Sequence, residues 1–181
     1  VLVNYREVDA PLAESMGAQV NEWLTFACEG IDCNGLPQIA ISIEVNDALN
    51  LHWAEMNPWQ LRVPSPFMDR ARSDMPFSPE MRVEVAALLA ERLVNHATGN
   101  LEPIRNSDAD FLRQAVTTWL VGQFTQINTE SFLIASLANQ YSITAIGQLL
   151  NNLQADSRLS ILGDITGTPS LDQMPLDWRD F

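Results

Sequence analysis

Lysine is missing altogether from this 181-residue chain, histidine occurs only at positions 52 and 96, and cysteine only at 28 and 33. Those residue types supply most enzymatic nucleophiles, general bases and soft-metal ligands. Without lysine, a Schiff-base enzyme and a P-loop nucleotidase are excluded. Two thiols and two imidazoles leave a zinc ribbon short of ligands. No G-x-S-x-G is present, and a Ser-His-Asp triad would have to use His52 or His96. No apolar run approaches the roughly 20 residues that span a bilayer. No D-x-[DN]-x-[DN]-G calcium loop, repeat or low-complexity segment occurs.

What is present is a globular composition, 46% hydrophobic and 18% charged, with a formal charge of −13. One domain spanning 1–181 fits this length. All the basic residues are arginines spread along the chain, so a nucleic acid or an anionic membrane surface would be repelled. The acidity reads as a source of solubility. The opening VLVNYREVDA has neither initiator Met nor signal peptide and reads as the start of an excised piece. The ending DWRDF reads as a helix beginning, so a longer chain is expected. Cys28-Glu-Gly-Ile-Asp-Cys33 is neither a C-x-x-C redox motif nor a zinc set. Gly30 and Asp32 allow a turn that brings the sulfurs together. A small structural disulfide is the expectation, which places the protein outside the reducing cytosol. Two buried free thiols are the alternative.

Apolar spacing predicts a helix over 9–27, with Asp9 as cap and Pro11 in the first turn. Ile39, Ile41, Ile43 and Val45 alternate with Ala40, Ser42 and Glu44 as a half-buried strand. Leu49–Ala54 and Trp59–Val63 are weaker strand candidates, so 1–63 reads as a helix plus a small, mainly antiparallel sheet. An irregular loop follows over 64–78, punctuated by Pro64, Pro66 and Pro76, and 79–181 reads as helical. Ser78 and Pro79 open a helix running to Gly99 whose first turns are apolar nearly all round, the mark of a buried helix. Ser107-Asp-Ala-Asp110 resembles a capping box before FLRQAVTTWLVGQF. Further helices are expected near 129–140, 142–153 and 157–163, with a turn region at Thr166–Pro175.

A sheet, a buried helix, a loop and a second helix with an aromatic-rich face is the layout of the gluzincin metallopeptidases. In that family the first helix carries H-E-x-x-H, whose imidazoles hold zinc while the Glu activates the bound water. This chain resembles that family from about Pro37 onward, with the chemistry removed. Val83-Glu84-Val85-Ala86-Ala87-Leu88-Leu89 falls where H-E-x-x-H-x-L would fall. Phe111–Trp119 resembles the second motif, with Gln114 at the ligand Glu, Ala115 at the Gly and Thr118 at the later acid. Ser131–Tyr141, Ile143–Leu153, Leu159–Gly167 and Leu171–Phe181 resemble the closing helices. The resemblance implies an α+β fold in which Val83, Ala87 and Gln114 replace the zinc ligands, leaving no metal or other cofactor.

The function expected is therefore non-catalytic: a binding or scaffolding domain of an exported or surface-anchored, bacterial-type protein, holding a peptide or protein. Trp53, Trp59, Arg70 and Arg72 are the binding candidates, the arginines lying in the 64–79 loop. Trp23, Trp53 and Trp59 read as lining a carbohydrate or peptide groove or, as tryptophans in a sheet-on-helix domain more often are, as core. Two other readings stand beside this one. The first is a hydrolase using carboxylates such as Glu84 without zinc. The second is a small-molecule-binding module lined by the 64–79 loop.

Overall fold

The structure, a computed structural model, describes residues 1–45, 50–66, 76–127 and 131–167. In chain order these give β1 (Leu2–Asn4), α1 (Ala10–Cys28), β2 (Ala40–Glu44), β3 (His52–Trp53), β4 (Gln60–Pro64), α2 (Pro79–Ala97) and α3 (Asp108–Thr125). They continue with α4 (Phe132–Tyr141), α5 (Ile143–Asn152) and α6 (Ile161–Thr166). The class is α+β, with a small four-stranded sheet and a helical C-terminal half, as the sequence implied. The chain falls into two compact units, Val1–Thr25 with Gly35–Leu88, and Phe26–Asn34 with Leu89–Phe181. The expected closing helix Leu171–Phe181, most of the 166–175 turn region and positions 67–75 of the loop lie outside the described residues.

In the first unit the strand order is β1-β2-β4-β3. The sheet is mixed rather than mainly antiparallel: β1, β2 and β4 run parallel, and only β3 runs against β4. The reason is the connection. A 19-residue helix joins β1 to β2, and a helical crossover lets neighbouring strands run the same way. Parallel strands are covered on both faces, and β2 follows that rule rather than half-burial. Ile41, Ser42 and Ile43 are all buried, and the Ser42 hydroxyl accepts from Gln60 Nε2 at 2.7 Å. The Arg62 guanidinium grips Glu44 on the adjacent strand, Nε to Oε1 at 2.9 Å and Nη2 to Oε2 at 2.5 Å. That hydrogen bond, then the charge of Glu44, raises the arginine's pKa further.

Leu12, Met16, Val20 and Trp23 form the buried stripe of α1 that their spacing implied. Val3 approaches α1 at Gly17, where an added Cβ would lie 3.3 Å from Val3 Cγ2. Asp9 is wholly buried in a short 3-10 turn ahead of α1. A buried carboxylate must be hydrogen-bonded, and Asp9 takes the Ser65 hydroxyl at 2.5 Å and the Arg6 guanidinium at 3.4 Å. It thereby ties the end of β4 to the start of α1. Ser78 caps α2 as expected, its Oγ accepting from the Met81 N–H at 3.2 Å. The helix is not buried all round, because Glu80, Glu84 and Glu91 are exposed opposite a buried stripe that includes Val85, Ala86, Leu89 and Leu93.

In the second unit Cys28 and Cys33 are joined in a disulfide, with Cα atoms 5.5 Å apart. Phe26 packs against Trp119 and Phe124 of α3, ring centroids 6.0 and 6.4 Å away. The loop between the cysteines lies directly on α5. A Cβ added at Gly147 would stand 1.9 Å from the Gly30 carbonyl oxygen, and one added at Gly30 would stand 2.5 Å from the Ile143 oxygen. Between α4 and α5 the chain turns at Ser142 with φ 77° and ψ 164°, a conformation that essentially only glycine adopts without strain.

Two stability outcomes follow. Alanine is the better helix former by about 1 kcal/mol, yet Gly147→Ala drives a Cβ into backbone that cannot move aside. A loss of about 3 kcal/mol or more, at the upper end of overpacking costs, is expected in denaturant unfolding. Ser142→Gly relieves strain of roughly 1–3 kcal/mol against an unfolded-state cost of about 0.5–1 kcal/mol. Its melting temperature should rise by a few degrees.

Candidate functional site

Ser78 and Pro79 start α2, and the helical repeat then sets Val83 and Ala87 one turn apart on one face. Both are half-buried, and Glu84 between them is exposed. Neither Val83 nor Ala87 carries a lone pair for a metal. Beside them, the Trp53 indole donates to the Leu88 carbonyl at 3.3 Å, anchoring β3 to α2. Trp53 meets Trp59 edge to face, centroids 6.4 Å apart at 66°, and both rings are half-buried. Trp23, by contrast, is core and packs on Phe77 at 6.4 Å. His52, next to Trp53, has its Nδ1 2.6 Å from the Asn50 carbonyl oxygen. Arg70 and Arg72 lie outside the described residues.

In the second unit Gln114 and Thr118 are exposed on α3. The Gln114 side chain lies close enough to Asp110, one turn earlier on the same helix, to favour its charged carboxylate. The capping box forms only in half. Ser107 Oγ accepts from the Asp110 N–H at 3.2 Å, but the Asp110 carboxylate reaches back one residue further, to the Asn106 N–H at 3.0 Å. That bond, then Gln114, Arg113 and Arg105, holds the Asp110 carboxyl below its ordinary 3.8.

Sequence reasoning missed the hollow of about 500 Å³ that Asn95, Asn100, Arg105, Asp110, Arg113 and Gln114 help to line. Arg113 donates through Nη2 to Asn95 Oδ1, while its buried Nε has no partner among the described residues. Its walls come from a connection bent by left-handed Asn100 (φ 57°) and Asn106 (φ 61°). Asparagine is the non-glycine residue most at ease there, and that was the available signal. The Asp9–Ser65 pair left none, its members being 56 residues apart.

Among the described residues no three His, Cys, Asp or Glu side chains group to hold a metal ion. The residues at 83, 87 and 114 do not fit zinc. No helix of the described residues is long and apolar enough to cross a membrane. Compared with known proteins, the chain matches no family model, no curated protein and no solved structure.

The Asp110 network makes stability pH-dependent in a defined direction. A carboxyl with a lowered folded-state pKa contributes stability that is full above its unfolded value and lost as pH falls through the folded value. Asp110→Asn should therefore be less stable than the parent at neutral pH. The difference should shrink below about pH 3.8 and vanish once the parent carboxyl is protonated, as read by urea melts across an acid series.

Proposed function

We propose that this chain is a non-catalytic binding domain, a gluzincin-like fold that has lost its zinc and uses the surface beside α2 to hold a peptide or protein. The observation that carries this reading is local to α2. Val83 and Ala87 offer no metal donor, yet one residue further along the same helix the Leu88 carbonyl anchors the Trp53–Trp59 pair. Half-buried tryptophans supply large contact area at small entropic cost and are common anchors of binding surfaces. The family part of this reading rests on the resemblance of the sequence alone, whose expected order of sheet, helix, connection and second helix runs here as β1–β4, α2 and α3. Glu84, exposed and without a metal-polarised water to act on, serves as a solvated helix carboxylate. The disulfide fits an oxidising compartment, and we place the protein at the cell surface or in the secreted fraction.

The test combines metal analysis with binding. After dialysis against zinc, the protein should retain no stoichiometric metal, and Glu84→Gln should change neither melting temperature nor any background peptidase activity. On an immobilised random-peptide array, Trp59→Ala should weaken retained binding by about tenfold or more, as hot-spot truncation does. Trp53→Ala should do the same while also lowering the melting temperature, because it removes the bond to Leu88. Tightly held zinc, or activity abolished by Glu84→Gln, would overturn the reading.

A further inference from the structure

Asn34 is the one asparagine of this chain that precedes a glycine. It stands directly after Cys33 in an exposed turn, and Gly35 is exposed beside it. Gly35 adopts φ +74°, and nothing lies within 4 Å of where its Cβ would be, so neither sterics nor packing shields the peptide bond. The Asn34 N–H donates to Asp32 Oδ1 at 2.9 Å. No hydrogen bond among the described residues engages the Gly35 N–H or the Asn34 side-chain amide.

From this we infer that Asn34 is a modification site, one that deamidates spontaneously through a cyclic imide. The Gly35 nitrogen, losing its proton to water or hydroxide, attacks Asn34 Cγ. The new Cγ–N bond closes a five-membered succinimide as the Cγ–Nδ2 bond breaks and ammonia leaves. Water then adds to either imide carbonyl and the C–N bond at that carbon opens. The products are aspartate or isoaspartate at position 34, with no change of oxidation state. Glycine favours the closure because no side chain crowds the attacking nitrogen. Asparagine is among the thermolabile residues for this reason.

Asn106-Ser107 is an internal contrast. There the following N–H donates to the Ile104 carbonyl at 3.0 Å, and Ser107 is fixed as the cap of α3. At Asn34 each event places a new negative charge beside Asp32, at the edge of the loop that the disulfide closes. The isoaspartyl product also lengthens the main chain by one methylene immediately after Cys33.

The experiment is incubation of the intact, disulfide-bonded protein in mildly alkaline buffer at physiological temperature, followed by peptide mapping. The peptide containing residues 34 and 35 should gain one mass unit with time and split into aspartyl and isoaspartyl forms, the latter in excess. Asn34→Gln should abolish the gain, and Gly35→Ala should slow it by more than an order of magnitude. The peptide containing Asn106 should stay unchanged over the same interval. If the 34–35 peptide stays unmodified in the folded protein, the inference fails, whether or not urea-unfolded protein deamidates. A mass gain that persists in Asn34→Gln would equally overturn it, since the site would lie elsewhere.

Discussion

The second compact unit depends on one contact in which two backbones meet with no side chain between them. The Gly30 carbonyl oxygen occupies the space where residue 147 would otherwise begin its side chain. Interiors are packed to crystal-like density, so a contact this close leaves no room for adjustment. Much around it serves to hold it. The disulfide closes the loop that presents Gly30, Ile31 beside it is buried, and Phe26, one turn earlier on α1, is seated among the α3 aromatics. The strained backbone at Ser142 belongs to the same arrangement. It ends α4 and starts α5 so that Ile143 and Gly147 both face Gly30. Local strain persists where the surroundings over-determine a conformation, and here they do.

The helices were legible because their signals are local. The buried stripe of α1, the Ser78 cap, the Gly99 stop and the Ser107 cap each rest on residues within a few positions of one another. The direction of the strands was not legible, because it depends on which strands become neighbours. β1 is three residues long, Leu-Val-Asn, too short for an apolar alternation to be read, so the helical crossover that makes β1 and β2 parallel could not be recognised from one side alone. The burial of Ser42 had the same origin: a serine between isoleucines reads as solvent-facing until the second face of the sheet is known to be covered. Asp9 shows the limit from another direction. Its spacing suggested a helix cap, but its carboxylate answers to Ser65, at the far end of β4.

The candidate site divides along the same line. That Val83 and Ala87 share a helical face follows from periodicity, and the cysteine pairing follows from a short loop with a glycine in it. The meeting of Trp53 with Trp59, and the use of the Leu88 carbonyl as an anchor, are tertiary facts on which composition is silent. The half-formed capping box is instructive in a smaller way. The motif located the helix start, but the Asp110 carboxylate chose a donor one residue further out because left-handed Asn106 turns its N–H toward it.

The parallel pairing of β1 with β2 also has a kinetic meaning. Leu2 is registered with Ala40, whereas Ala40 is registered with Gln60, so the β1 pairing closes a loop about twice as long. On chain-entropy grounds each doubling costs about 0.6 kcal/mol more. On the same grounds the sheet starts from the antiparallel β3–β4 pair, with His52 registered on Arg62 only ten residues away, and grows through β2. The strand that comes first in the chain is the last to be laid down.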